Sequence, residues 1–428
     1  MDKHSANLLI KDTFNFPFSE EKFSKFSLRL LDVERSETTN WQSNHALPTS
    51  FKEGVVEFKF FGKMEYQNGE SILIAMVKLK SSEIVEKSRY IQRDFAKWLI
   101  EQYRVDACLL SFFADNYDDW RFSLVRIDYT KEQTKTGKIR IVQELTPLRR
   151  YSYLVGKNEP NHTAQTQLSP LLLEDNKNPS VDKLTKAFSV EKVNIDFFEN
   201  YRDLCFELEK EIKKLRKDDK ILNLNFKENK INDLEFSKKI MGQIVFIYFL
   251  QKKNWIGHKF INNNYNKYGP KNFLNKLYNS NETKEYKKYK NFFNDILEPL
   301  FYDGFAKRRR NNLFQKLNCF VPFLSSELFE PLNGYDWEKT EILIKNEIFK
   351  KIFEIFNRYN FTVREEEPLE TEVAIDPEML GKVLENLLPD KEKRLTGTFY
   401  TPRPVVSYMC NQAIENFLKI HFDKSLDQ

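Results

Sequence analysis

The first part of the chain carries the alternating or continuous apolar runs that predict β-strands. Five such runs occur, at residues 55–61, 72–80, 106–114, 121–127 and 138–144. The stretch before Glu53 is irregular, and Asn68 and Gly69 are typical of a hairpin turn between the first two runs. Residues 86–103 instead show helical spacing. The order β-β-α-β-β-β predicts an α+β domain over residues 1–169.

Helical periodicity replaces the strand pattern in the middle of the chain. Residues 160–179 are rich in Asn, Pro, Ser and Thr, which predicts a linker. Residues 194–215 and 236–253 have apolar residues three and four positions apart, which predicts helices. The second of these is apolar on nearly every face, as expected of a helix at the centre of a core. We therefore predict a mainly α-helical connector domain over residues 170–370.

Near the C-terminus, a short turn precedes another predicted helix. Gly397 suits a tight turn, and Pro402 holds the residue before it in an extended conformation. Pro404 suits the first turn of a helix. Apolar residues then recur at helical spacing: Val405, Val406, Met409, Ala413, Phe417 and Ile420. The turn would bring hydroxyls, an aromatic ring and free helix N–H groups together, which suits a polar small molecule bound at a helix N-terminus.

This turn resembles the cofactor-side motif of adenine-specific DNA methyltransferases of the large combined, type IIG-like restriction–modification kind. In that family a Gly-x-(Phe/Tyr)-Tyr-Thr-Pro turn contacts S-adenosylmethionine. The resemblance implies these cofactor-binding residues: Gly397, Thr398, Phe399, Tyr400, Thr401 and Pro402. It also implies that residues 371–428 are the N-terminal start of a Rossmann-like methyltransferase domain. Residues 246–256, 320–331 and 376–388 resemble further segments of the same family.

Two motifs that methyl transfer to adenine requires are missing from the 428 residues. Neither an Asn/Asp-Pro-Pro-Tyr run, which would hold the flipped adenine, nor a Gly-x-Gly turn, which would hold the cofactor, occurs. We therefore expect an incomplete S-adenosylmethionine site and assign no catalytic residue for methyl transfer. We therefore hypothesise that the chain is the N-terminal portion of a larger enzyme. It would be either a truncated product or a split subunit, and in the second case a separate partner chain would carry the rest of the methyltransferase.

The strand order of the first domain also resembles nucleases of the PD-(D/E)XK type, which hold a divalent metal with carboxylates on adjacent strands. Glu57 and Lys80 are the candidate catalytic residues in this interpretation, and Mg²⁺ would be the cofactor. Lys78 occupies the position of the second carboxylate, so a degenerate or structural domain is the alternative. Glu65 or Glu70 could replace that carboxylate only in a different hairpin register. Three residues of the following helix lie where such folds often contact phosphate: Arg89, Gln92 and Arg93.

Positive charge concentrates in residues 251–310, which carry a local net charge of +9 in a chain whose total is +5. Seven basic residues form the candidate DNA-binding set: Lys287, Lys288, Lys290, Lys307, Arg308, Arg309 and Arg310. Tyr286, Tyr289, Phe292 and Phe293 lie among them. Double-stranded DNA suits this distribution, through phosphate contacts and counterion release. The alternatives stay open: a solvated basic face, or a non-enzymatic DNA-binding or specificity subunit.

Composition excludes several other classes of protein. Hydrophobic residues make up 41% of the chain, which is enough for packed cores and excludes a disordered chain. The four cysteines and five histidines are scattered without metal-ligand spacing, so we predict no structural metal site. No signal-peptide pattern and no apolar run of membrane-spanning length occurs. We therefore expect a cytoplasmic protein of a restriction–modification or phage-defence system, with no membrane partner.

Overall fold

The computed structural model describes residues 1–33, 40–43, 45, 47–133, 139–173, 179–261, 264–362, 370–375, 377, 381 and 403–422. The chain divides into two compact units, Met1–Pro377 and Glu378–Gln428. The first unit combines a mixed sheet with a helical region. Within these described ranges, no helix combines the length and the apolar character needed to cross a lipid bilayer.

A seven-stranded sheet forms the framework of the first unit. Its strands are β1 (Gln42–Ser43), β2 (Val55–Glu65), β3 (Ser71–Leu79), β4 (Ala107–Ala114), β5 (Asp119–Gln133), β6 (Ile139–Gly156) and β7 (Glu370–Glu372). The spatial order follows the chain order. The pairs β3–β4 and β6–β7 are parallel and the other neighbours are antiparallel. The predicted α+β class is confirmed at this level, while the nuclease-like and Rossmann-like assignments stay predictions.

Two helices precede the sheet, α1 (Lys3–Phe14) and α2 (Glu20–Leu31), so the prediction of an irregular start is wrong. Each begins at a residue that caps its N-terminus, since the side chains of Asp2 and Ser19 accept hydrogen bonds from backbone N–H groups three residues on. Phe14 and Phe26 pack against Phe122 of β5, with ring centroids 5.3 and 5.6 Å apart. This aromatic packing holds both helices on one face of the sheet.

The opposite face of the sheet is covered by a helix after β3. The predicted helix at 86–103 is two helices, α3 (Ser82–Lys87) and α4 (Arg89–Tyr103), with Ser88 between them. Phe95 and Leu99 of α4 are buried in one cluster with Val77 of β3 and Leu110 of β4. Alternate residues of β3 and β4 therefore face this helix, which accounts for the nearly continuous apolar sequences of the two central strands.

Two further differences from the sequence prediction concern residues 138–179. The strand predicted at 138–144 continues as β6 to Gly156. Most of the predicted linker forms α5 (His162–Leu173), so that prediction is wrong. Ala164, Leu168 and Leu172 recur every four residues and are buried, which supplies the apolar stripe of a packed helix.

The helical region of the first unit contains α6 (Val181–Lys186), α7 (Val190–Asp218), α8 (Lys220–Glu228), α9 (Asp233–Lys252), α10 (Phe273–Tyr278), α11 (Ser280–Thr283) and α12 (Asn346–Phe356). Thirteen of the 20 residues of α9 are buried, which confirms its position inside a core. Aromatic rings join these helices; Phe197 and Tyr248 each contact Phe356 of α12. The predicted domain boundaries at 169 and 370 stay predictions.

The described part of the second unit is essentially α13 (Arg403–Phe422). This confirms the helix predicted after the turn at 397–402. Apolar side chains are unusually exposed along it: Val405, Val406, Tyr408, Met409, Ile414 and Phe417 are between 43 and 66% accessible. Such a run of exposed large apolar residues is uncommon on soluble domains and is typical of a surface that another element covers.

Candidate functional site

The predicted cofactor turn lies outside the described residues. Gly397, Thr398, Phe399, Tyr400, Thr401 and Pro402 all belong to this stretch, so they stay predictions. Helix α13 begins at Arg403, the residue that follows this stretch in the sequence. Its N-terminal N–H groups lack helical acceptors by the nature of the α-helix, which makes the helix start a suitable neighbour for a polar ligand.

Of the nuclease candidates, Glu57 lies on β2 and Lys80 directly follows the end of β3, and the register places Lys78 directly opposite Glu57. Lys78 Nζ is 3.4 Å from Glu57 Oε1 and 3.0 Å from Asp115 Oδ2. Asp115, which the sequence analysis missed, comes immediately after β4. Its hydrogen bond is the main reason that the pKa of Lys78 is raised above the ordinary lysine value. An ammonium group therefore lies between the two carboxylates.

Other carboxylates do not complete a metal site on this hairpin. The register places Glu65 opposite Ser71, at the far end of β2 from Glu57, and Glu65 pairs with Lys63. Glu70 lies in the turn, where its side chain accepts a hydrogen bond from Asn68. Across the described part of the chain, no group of three or more His, Cys, Asp or Glu residues is suited to holding a metal ion. The residues present do not fit the divalent metal that a nuclease site requires.

Gln92 does not face a phosphate, as the sequence interpretation had it, because its side chain is fully buried. It donates hydrogen bonds to the carbonyl groups of Ile84 and Val85, and its amide oxygen accepts one from Arg150. Arg93 keeps a partly exposed side chain beside Asp94. Gln92 therefore joins α4 to α3 and to β6 inside the core.

A buried charge cluster that was not predicted from the sequence lies at the β6–β7 edge of the sheet. Arg150 Nη1 donates to Glu370 Oε2 over 2.9 Å, and both side chains are at least 97% buried. Arg121 lies 3.5 Å from Glu372 and donates to the carbonyl oxygen of Val85 over 2.7 Å. The four residues come from positions 121, 150, 370 and 372, and only the parallel pairing of β7 with β6 brings them together. An arginine inside an apolar strand pattern, as at Arg121, was the available signal.

The candidate DNA-binding lysines are placed on the surface. Lys287, Lys288 and Lys290 are exposed, as are Lys307, Arg308 and Arg310. Partial desolvation, with the positive charge of Lys287 as the next cause, lowers the pKa of Lys316 below the ordinary lysine value. Two of the aromatic residues among them, Phe292 and Phe293, point inward instead and are fully buried. The aromatic residues anchor this basic segment to the helical core and leave its charges at the surface.

Arg309 differs from its basic neighbours. Its guanidinium donates to the carbonyl oxygens of Asp303, Gly304 and Val321, and it lies over the ring of Phe314, 5.3 Å from the centroid. Burial is the main cause that lowers the pKa of Arg309 below the ordinary arginine value. Its hydrogen bonds close the loop after residue 305, so Arg309 has a structural role.

The chain is 27% identical over 247 residues to a protein of Methanocaldococcus jannaschii named "Putative type II restriction enzyme and methyltransferase". The chain is similar to a combined restriction–modification enzyme. The matched part covers 53% of this chain and 19% of the length of that relative. No protein-family model matches the chain, and no solved structure matches it.

Proposed function

We propose that this chain is the N-terminal portion of an adenine-specific DNA methyltransferase of a restriction–modification or phage-defence system. In the complete enzyme, the methyl group of S-adenosylmethionine would pass to the amino group of adenine in DNA. The observation that carries the proposal is the similarity to a restriction enzyme and methyltransferase, joined to the Gly397–Pro402 turn in front of α13. Adenine is the proposed target because the turn resembles that of adenine-specific enzymes.

The chain's own part in this function would be to hold one side of the cofactor. Gly397 would allow the cofactor to approach the backbone closely, and the N–H groups at the start of α13 would meet its polar end. The exposed apolar residues of α13 support the same proposal, because a helix of this composition requires a covering domain. That cover would come from the rest of a methyltransferase domain, whether in the same polypeptide or in a separate partner chain.

The direct experiment is methyl transfer to plasmid DNA by this chain, expressed together with the polypeptide that its gene region encodes downstream. We expect label from tritiated S-adenosylmethionine to enter DNA as N6-methyladenine, identified by nucleoside mass spectrometry. Gly397→Val should weaken cofactor binding at least about tenfold by adding a side chain at the close approach. Gln412→Ala on the exposed side of α13 is the matched control. Methylated cytosine, or full activity in Gly397→Val, would contradict the proposal.

Binding to double-stranded DNA is the second function that an observation favours. Lys287, Lys288 and Lys290 are exposed within a stretch that carries a local charge of +9. Contacts of this kind neutralise phosphates and release counterions, so they supply affinity without sequence preference. The same surface would serve a methyltransferase, which must hold its duplex, or a subunit that only binds DNA. The methyl-transfer experiment above distinguishes these alternatives, because a subunit that only binds DNA would transfer no methyl group.

A further inference from the structure

Lys78, Glu57 and Asp115 form a charge cluster, called here the Lys78 cluster, and three neighbouring strands bring these residues together. Lys78 is the partner of Glu57 across the antiparallel β2–β3 pair and of Phe113 across the parallel β3–β4 pair. Asp115 lies in the turn directly after β4, two residues beyond Phe113, and its Oδ2 is 3.0 Å from Lys78 Nζ. Both carboxylates therefore reach Lys78 from opposite sides. The position of Lys78 is fixed by sheet register on both flanks and not by a flexible loop.

In the Lys78 cluster, two carboxylates surround a positive charge, as they do in a metal site. Here the positive charge is the ammonium group of Lys78 and not a metal ion. Two carboxylates that converge on one point repel each other unless a positive charge lies between them. Metal-dependent nucleases meet this need with a divalent ion. Here Lys78 Nζ lies 3.0 and 3.4 Å from the two carboxylate oxygens. The ammonium is compact and cannot be a metal ligand while it is protonated, so it excludes a metal from the same point.

We infer that Lys78 is a built-in cation that replaces the divalent metal of a nuclease-type site, and that a metal site is latent beneath it. The native protein then needs no Mg²⁺ or Mn²⁺ at this position. Exchange of Lys78 for a carboxylate would remove the ammonium and add a third acidic ligand beside Glu57 and Asp115. Lys80, two residues further along the chain, already has the spacing of a nuclease lysine from position 78. This inference is independent of the methyltransferase proposal.

The test compares metal-dependent thermal stability of the full chain and its Lys78→Glu variant. Without metal, Lys78→Glu should have a lower Tm than the native chain because three carboxylates converge. Mn²⁺ at millimolar concentration should raise the Tm of the variant and leave that of the native chain unchanged, since an ion that binds only the folded state stabilises it by mass action. Electron paramagnetic resonance of free Mn²⁺ should show at least about tenfold tighter binding to the variant, in the range of an open carboxylate site.

Two further variants make the result specific. Adding Glu57→Gln to Lys78→Glu should abolish the Mn²⁺ response, whereas Lys25→Glu, the same charge change on the exposed side of α2, should never acquire it. If Lys78→Glu does not fold, Lys78→Gln takes its place, with a weaker response expected from two carboxylates. A folded Lys78 variant that ignores Mn²⁺, or a native chain that binds Mn²⁺ through Glu57, would overturn the inference.

Discussion

Two charge clusters on the same sheet show how burial changes the role of an ion pair. At the β6–β7 edge, Arg150 and Glu370 are 0% and 3% exposed. On the β2–β4 side, Lys78, Glu57 and Asp115 are 22, 31 and 70% exposed. In the first cluster the charged groups have lost their contact with water and instead contact each other and fixed hydrogen-bond partners. In the second, all three side chains keep some contact with water and Asp115 keeps most of its own, so the cluster can change its occupant at little cost to the fold.

The comparison also separates a structural cluster from a candidate functional one. The arginines of the buried cluster hold α3, α4 and β7 on the sheet through bonds to Val85, Gln92 and Glu370. The cluster around Lys78 joins only the ends of adjacent strands. Loss of a buried partner should therefore unfold the protein, while loss of Lys78 should change what the site can bind.

Glu370→Gln should give the largest loss of stability. The variant removes the carboxylate charge that faces buried Arg150, and breaking a buried ion pair on one side costs about 3–5 kcal/mol. Chemical denaturation with urea measures the free energy of unfolding. Glu101→Gln, at an exposed position of α4, should change it by less than about 0.5 kcal/mol. Equal stability of Glu370→Gln and the native chain would show that the buried pair is not the anchor of β7.

Glu298 should make stability depend on pH. Burial raises the pKa of Glu298 to about 8, against the lowering effect of a 2.6 Å hydrogen bond from the Tyr335 hydroxyl. The ordinary value of 4.5 applies in the unfolded chain. Between these pH values the folded state keeps a proton that the unfolded state has lost, so stability is greatest below pH 4.5 for this group and falls as the pH rises to about 8.

Glu298→Gln should therefore reduce the fall in the free energy of unfolding with rising pH, by up to about 1.4 kcal/mol per pH unit. Urea unfolding at pH 5.5 and 8.5 measures the difference, and the variant should gain most at the higher pH. Glu327→Gln, at an exposed site, serves as the control and should follow the native curve. Parallel curves for Glu298→Gln and the native chain would mean that Glu298 is ionised in the folded state at neutral pH.

Lys78→Met should have a smaller effect, below about 1 kcal/mol, because partly exposed ion pairs contribute little to stability. Methionine keeps most of the length of the lysine stem and removes the charge. The measurement is again the free energy of unfolding, now beside that of Glu370→Gln. If Lys78→Met lowers the free energy of unfolding as much as Glu370→Gln does, the two clusters do not differ in their importance for stability.

The exposed lysines should have the smallest effect on stability. Exchange of Lys287, Lys288 and Lys290 for Gln should leave Tm almost unchanged, since their charges are solvated. Affinity for duplex DNA should fall, and the slope of log affinity against log salt should become shallower by about 0.9 for each phosphate that the variant no longer neutralises. Electrophoretic mobility shifts across a salt series measure both quantities. The matched control changes three exposed lysines of α7: Lys210, Lys214 and Lys217.

Some of this architecture could be predicted because it depends on local pattern. The β2–β3 hairpin followed from two apolar runs around Asn68 and Gly69, and Gly69 indeed has the positive φ of 84° that such a turn favours. The buried position of α9 followed from apolar residues on all its faces. The two N-terminal helices were missed although Asp2 and Ser19 precede them as good caps. The apolar face of α1 is weakly segregated, whereas that of α2 is clear and was an available signal.

The sequence by itself determined the order of β2, β3, β4, β5 and β6, the buried position of α9 and the similarity to restriction–modification enzymes. Only the tertiary structure decided which charges meet. Glu370 lies 220 residues from Arg150 along the chain, and Asp115 reaches Lys78 because β4 runs parallel to β3. Pairings of this kind depend on sheet order and register, and those are set by the packing of the whole domain and not by any local run of residues.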